Sequence, residues 1–128
     1  MQDNPHYIDI VAEVAEFLAE RVAAAEAGGI ALNRMTVDPG FGFGKTLEHN
    51  LALLRGLGEL VVPGLPLLVG LSRKSMLGLI TGGTASERMY AGVAAHMLAV
   101  LRGARIVRVH DVAATHDALA VLQAVEEF

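Results

Sequence analysis

Apolar positions recur at helical spacing from the start of the chain. Ile8, Val11, Val14, Phe17, Leu18 and Val22 fall three or four residues apart, with Glu13, Glu16, Glu20 and Arg21 on the wetter side. That spacing predicts an amphipathic helix, ended by Gly28 and Gly29. Residues 34–37 read as a short strand that stops at the breaker-rich DPGFGFGK, so Asp38 sits where a strand ends. The following TLEHNLALLRGLGELVV reads as helical, with Thr46 as its cap. The pattern then repeats. Pro66 opens the run LPLLVGL, the polar SRKS follows, and a helical stretch from about Met76 to Ile80 precedes the loop TGGT. Thr84 or Ser86 caps the long helix ERMYAGVAAHMLAVLRG, which Gly103 ends. Residues 105–109, RIVRV, form a third strand into the loop HDVAAT, and HDALAVLQAVEEF is the last helix.

Strand and helix therefore alternate three times after a leading helix, the order that gives parallel strands joined by helical crossovers and an α/β class. Open α/β sheets and (β/α) barrels both gather ligand-binding loops at the C-terminal ends of their strands. Here those ends carry Asp38, Ser72 to Lys74, and Arg108 to Asp111. Three parallel strands leave two unpaired edges and too few inward side chains to fill a barrel, so the architecture reads as part of something larger. No linker or second domain is apparent, and residues 1–128 read as one unit.

Composition agrees with a buried, folded chain. The 128 residues are 53% apolar and 19% charged, with a mean hydropathy of +0.47, which excludes a disordered or acidic-tail protein. The hydropathy is high for a free-standing domain and implies apolar surface that faces other protein. There is no cysteine, hence no disulfide, thiolate nucleophile or Cys-based metal site. A net charge of -4 argues against a nucleic-acid partner. No apolar stretch reaches the roughly 20 residues needed to span a bilayer, and the opening MQDNPHYIDI lacks signal-peptide order. The expectation is a soluble, cytoplasmic chain without a membrane partner.

The run GFGFGKT imitates a nucleotide-phosphate loop, but Pro39 stands where the first glycine is required. Proline has fixed φ and no N–H, so nucleotide binding is discounted; Lys45 reads as exposed and Thr46 as a helix cap. Asp38 reads either as an Asx-type cap of the turn it opens or as an acceptor for the N–H groups of a heterocycle. Phe41 and Phe43 are loop anchors or flat walls beside an aromatic ligand. Arg108 and His110 share one side of the third strand and, with Lys74, can hold a phosphate or diphosphate. Arg73 reads as solvated or ion-paired. A Schiff-base role for Lys74 is a minor alternative. His6, His49, His96 and His116 lack metal-ligand spacing and read as surface or helix-face histidines, while Asp111, His116 and Asp117 shape a turn and cap the last helix.

Together, VDPGFGFGKTLEHN, GLSRKSMLG and RVHDVAAT resemble three signature strand ends in the C-terminal half of bacterial dihydropteroate synthase, and MQDNP resembles the end of the strand before them. The resemblance implies part of a TIM, or (β/α)8, barrel: three parallel strands with their helices, plus a leading helix. It implies condensation of 6-hydroxymethyl-7,8-dihydropterin diphosphate with p-aminobenzoate, releasing pyrophosphate with magnesium present. Asp38 and Lys74 would then bind the pterin, Arg108 would pack over it and hold anionic oxygens, and His110 would bind the diphosphate. Phe43 and Ser72 would lie near p-aminobenzoate, which makes Lys74, Arg108 and His110 the catalytic set. The family's magnesium-binding Asn and further Asp and Asn contacts belong to its first five strands, which have no counterpart in this sequence. Residues 1–128 are therefore expected to be inactive or weak alone, and to pair as a homodimer or through exposed edges. The other readings are a pterin-binding module of a methyltransferase and a non-catalytic oligomerising fragment.

Overall fold

The computed structural model describes residues 7–126, so His6 and the predicted strand end at MQDNP lie outside the described residues. Helix α1 spans Ile10–Ala27 and starts on the carboxylate of Asp9, which accepts from Ala12 N–H. Of the predicted apolar set Val14 and Leu18 are buried, joined by Ile10, whereas Ile8 and Phe17 are exposed; Gly28 ends the helix.

The predicted first strand is corrected. Leu32–Arg34 form a 3-10 turn, and only Val37 pairs, in one parallel bridge to Leu67. The turn occupies the backbone upstream. Downstream, Pro39 has no N–H to donate, and Gly40 N–H is taken by the Asp38 side chain at 2.8 Å. With Met35 N–H bonded to Leu32 O and residue 39 a proline, neither flanking position has an N–H for the ladder.

Helix α2, Leu47–Arg55, starts at Thr46 as predicted; its hydroxyl accepts from His49 N–H, and His49 Nδ1 accepts from Thr46 N–H. It is shorter than the sequence implies, because Gly56 ends it and Leu57–Leu60 tighten into a 3-10 turn. Strand β1, Leu68–Val69, and strand β2, Ile106–Val107, form a two-stranded parallel sheet in the register Leu68 to Ile106. Between them lie α3, Ser75–Thr81, and α4, Met89–Leu101. Helix α5, Val112–Glu126, starts within the stretch HDVAAT expected to be a loop. Asp111 O accepts both the N–H and the hydroxyl of Thr115, which closes the first turn early.

The two pairings lie on opposite edges of β1. Leu68 N–H donates to Val37 O, whereas Leu67 O accepts from Arg105 N–H. β1 is thus the centre of a three-segment layer whose first segment is a single bridge. Leu67, Val69 and Leu71 are buried, and Phe41, Leu53, Leu57 and Leu60 join them in the core. Each full burial of such a side chain contributes about 1.5–3 kcal/mol. Ile106 is exposed, as are Val112, Val121 and Val125 on α5, so this side of the sheet is open. Among the described residues no helix is long and apolar enough to cross a membrane.

Candidate functional site

The loop after Val37 bears Asp38 and Phe43, and it is self-locked. Asp38 Oδ1 accepts Gly40 N–H at 2.8 Å, Asn50 Oδ1 accepts Gly42 N–H at 2.9 Å, and Phe43 N–H goes to Gly40 O. These three amides are used internally and do not face a ligand. Lys45 is a correction: it is buried, not exposed, and its Nζ donates to Gly40 O and Phe43 O, both at 2.9 Å. The loop turns back on itself and offers two carbonyls that an ammonium can bridge. Burial pushes the Lys45 pKa down, opposed by the Asp38 carboxylate. The two phenylalanines divide the roles left open for them. Phe41 is fully buried as the core anchor, and Phe43 is 67% exposed.

Ser72, Arg73 and Lys74 follow β1. Lys74 Nζ donates to Phe41 O at 2.6 Å and lies 5.1 Å from the Phe43 ring centroid, so it joins the two loops. Burial lowers its pKa most; Arg108 lowers it further, Asp38 opposes, and Lys45 adds to the lowering. Ser72 Oγ accepts His110 N–H at 3.0 Å and lies 2.8 Å from His110 Nδ1, tying the ends of β1 and β2 together. Among the described residues His110 Nε2 makes no hydrogen bond.

Arg108 NH1 meets Asp38 Oδ2 at 3.4 Å, a long and exposed pair. Asp38 thus takes the turn-cap role, while its second oxygen faces Arg108. The Arg108 guanidinium lies on Gly70, where an added Cβ would come 2.6 Å from NH2 and 3.0 Å from Cζ. Glycine at the end of β1 is what lets Arg108 lie flat there. Arg73 pairs with Asp111 at 3.1 Å. His116 and Asp117 are exposed and 3.8 Å apart, beyond Asp111 in α5.

These contacts bring all six sequence-predicted site residues together at the C-terminal ends of the strands. Gly70, Ser72, Lys74, Arg108, Val109 and His110 line a cavity of about 170 Å³, with Asp38 reached through Arg108 and Phe43 through Lys74. Lysine, arginine and a histidine donor against one carboxylate suit a ligand with an anionic group and a hydrogen-bonding ring. No group of three or more His, Asp or Glu side chains gathers among the described residues. A larger cleft of about 560 Å³ between the end of α4, β2 and α5 includes none of the six.

Two residues that hold the site escaped the sequence reading. His96 is 1% exposed, not a surface histidine; its Nε2 accepts Leu71 N–H at 3.0 Å and its Nδ1 lies 2.7 Å from Gly92 O. Accepting at Nε2 fixes the neutral ring with the proton on Nδ1. Burial pushes its pKa down, partly offset by the Gly92 carbonyl, and Lys74 lowers it further. Asn50 is buried and holds the glycine loop through Gly42 N–H and Thr46 O. Its place four residues after Thr46 was the only sequence signal.

A family model described as pterin binding enzyme matches residues 1–110. The dihydropteroate synthase of Neisseria meningitidis serogroup C is 57% identical over 126 residues, 97% of this chain and 44% of that protein. The crystal structure of dihydropteroate synthase from Stenotrophomonas maltophilia, with imidazole bound in its active site, superposes with a TM-score of 0.95 at 58% identity. It covers 98% of this chain and 48% of that one. The enzyme from Xanthomonas albilineans in complex with 7,8-dihydropteroate gives 0.94 at 52% identity, covering 100% and 49%. The chain thus spans less than half the length of these relatives.

Proposed function

Because the chain belongs to the pterin-binding enzyme family, we propose that it supplies one side of a dihydropteroate synthase pocket. The reaction joins 6-hydroxymethyl-7,8-dihydropterin diphosphate to p-aminobenzoate. The supporting observation is the cavity lined by Lys74, Arg108, His110 and Ser72, with Asp38 across from Arg108, in a chain whose net charge is -4. Cations concentrated at one strand end of an acidic chain attract a diphosphate. At about 170 Å³ the cavity falls short of the roughly 300–1,000 Å³ typical of small-molecule sites, as expected of one wall of a shared pocket.

In this reading Asp38 accepts N–H bonds from the pterin ring and Lys74 meets its other polar edge. Arg108 lies over the ring and holds anionic oxygens. His110 Nε2 donates to the diphosphate, and Phe43 and Ser72 border the p-aminobenzoate. The arylamine lone pair forms the new C–N bond at the methylene carbon as the C–O bond to the diphosphate breaks. The bonding pair leaves with pyrophosphate, and the amine proton is lost to solvent. Charge grows on the departing oxygens, so Arg108 and His110 bind the transition state more tightly than the substrate. Magnesium, if used, takes its ligands from elsewhere, and no step here is routed through it.

Several finer features complete the proposal. Residues 1–128 read as the C-terminal part of a pterin-binding barrel domain, which alone turns over little or no substrate. The same reading places the chain in the cytoplasm. Exposed Val121 and Val125 on α5 and Leu98 on α4 suit a homodimer or assembly across open faces. A methyltransferase pterin module is disfavoured, since Arg108 and His110 beside one another suit a diphosphate.

The test is a calorimetric titration of hydroxymethylpterin with and without its diphosphate, using the wild-type chain and Arg108→Ala. Loss of a charge-assisted contact should weaken the diphosphate ligand about ten- to hundredfold and the bare pterin much less. Equal losses, or no saturable binding of the diphosphate ligand to wild type, would contradict the proposal.

A further inference from the structure

Arg73 stands between two site residues and is the one non-glycine residue with positive φ among those described, at 58°. A side chain in that region is strained, and such strain persists only where neighbours over-determine it. Two neighbours do so. The Arg73 guanidinium is anchored on Asp111 at 3.1 Å. Its carbonyl accepts from Arg88 NH1 at 2.9 Å, and Arg88 Nε donates to Gly83 O at 3.2 Å.

Arg88 is itself set firmly. It follows the 3-10 turn Ala85–Glu87, whose Thr84–Glu87 capping box fixes the chain entering α4. Its guanidinium rests against Gly78 of α3, where an added Cβ would lie 2.6 Å from NH2 and 2.8 Å from Nε. The two carbonyls take the place of a carboxylate partner, and the fork geometry of arginine meets both at once.

We infer that Arg88 is a positioning residue: by holding the Arg73 carbonyl it keeps the chain in its left-handed turn and aims Lys74 across to the Phe41 carbonyl. The consequence for catalysis rests on the proposed role of Lys74. The positioning itself is tested without any ligand, so the two can fail separately.

The chain has two lysines, and each is held in a different way, which provides an internal reference. Lys74 Nζ donates to Phe41 O across the loops, whereas Lys45 Nζ donates to Gly40 O and Phe43 O within its own loop. Limited acetylation followed by peptide mass spectrometry gives the Lys74 to Lys45 labelling ratio. In Arg88→Ala the ratio should rise about fivefold, the factor expected from loss of one hydrogen bond of ordinary net strength. In the double variant Arg88→Ala, Arg73→Gly it should return to near the wild-type value, because glycine adopts the left-handed turn without a clasp. An unchanged ratio in Arg88→Ala, or a raised ratio that Arg73→Gly does not restore, overturns the inference. Equal gains at both lysines also overturn it, since Arg88 would then support the fold in general. If Arg88→Ala does not fold, Arg88→Lys carries the same comparison. It keeps one donor for the Arg73 carbonyl and should lie between wild type and the fivefold rise; a wild-type ratio there, or no return with Arg73→Gly, is the contrary result.

Discussion

His96 joins α4 to the end of β1, and its removal should cost more than its size suggests. In His96→Leu the volume is kept, but Leu71 N–H, on a fully buried residue, loses the Nε2 acceptor 3.0 Å away. The Gly92 carbonyl is hurt less, because inside α4 it still receives the helical N–H of residue 96. The orphaned donor sets the magnitude, about 1–3 kcal/mol. His96→Ala adds a cavity beside Ala95 and Ala99 and should cost about 2–5 kcal/mol. Urea unfolding with linear extrapolation measures both. A His96→Leu cost below about 0.5 kcal/mol would refute the role of the Leu71 bond, since a satisfied donor cannot be lost so cheaply. The pH dependence supplies an independent sign. Burial lowers the folded pKa of His96, so the unfolded chain takes up a proton near pH 6.5 while the folded chain resists until lower pH. Between those values the unfolded state binds more protons, and stability falls as pH drops. His96→Leu should lose that part of the acid dependence, so the gap between wild type and variant should narrow below about pH 6.5.

Two other substitutions probe the walls of the site. Asn50→Ala removes the acceptor of Gly42 N–H and should cost about 1–3 kcal/mol, measured by thermal unfolding; an unchanged midpoint would mean the glycine loop does not depend on it. Gly70→Ala should push Arg108 off β1 while changing stability by no more than about 1 kcal/mol, because the Asp38 pair it disturbs is exposed. Its diphosphate affinity should fall nearly as far as that of Arg108→Ala, and unimpaired binding would remove Gly70 from the site.

Much of the site was legible because its residues cluster in three short motifs at strand ends. Asp38, Ser72, Lys74, Arg108 and His110 were placed by position alone, since a parallel layer must bring such ends to one side. What could not be read were the contacts made across the fold. His96 reaches Leu71 from 25 residues away, and on a helix of small residues nothing marks which side chain turns inward. Lys45 looked solvated because lysine usually is; its burial depends on two carbonyls that exist only after the loop has closed. The first strand, residues 34–37, failed on its upstream side: Leu32–Arg34 close a 3-10 turn that takes the N–H groups of Arg34 and Met35, leaving Val37 as a lone bridge.

The claim at the centre of this account is that the ends of β1 and β2, with the loop after Val37, recognise the pterin diphosphate. Nuclear magnetic resonance titration of the 128-residue chain with that ligand tests it most directly. Saturable shifts should centre on Asp38, Ser72, Lys74, Arg108 and His110, with pyrophosphate alone moving Arg108 and His110. Shifts centred on the α4–α5 cleft around Leu119 and Gln123, or none at the strand ends, would contradict it.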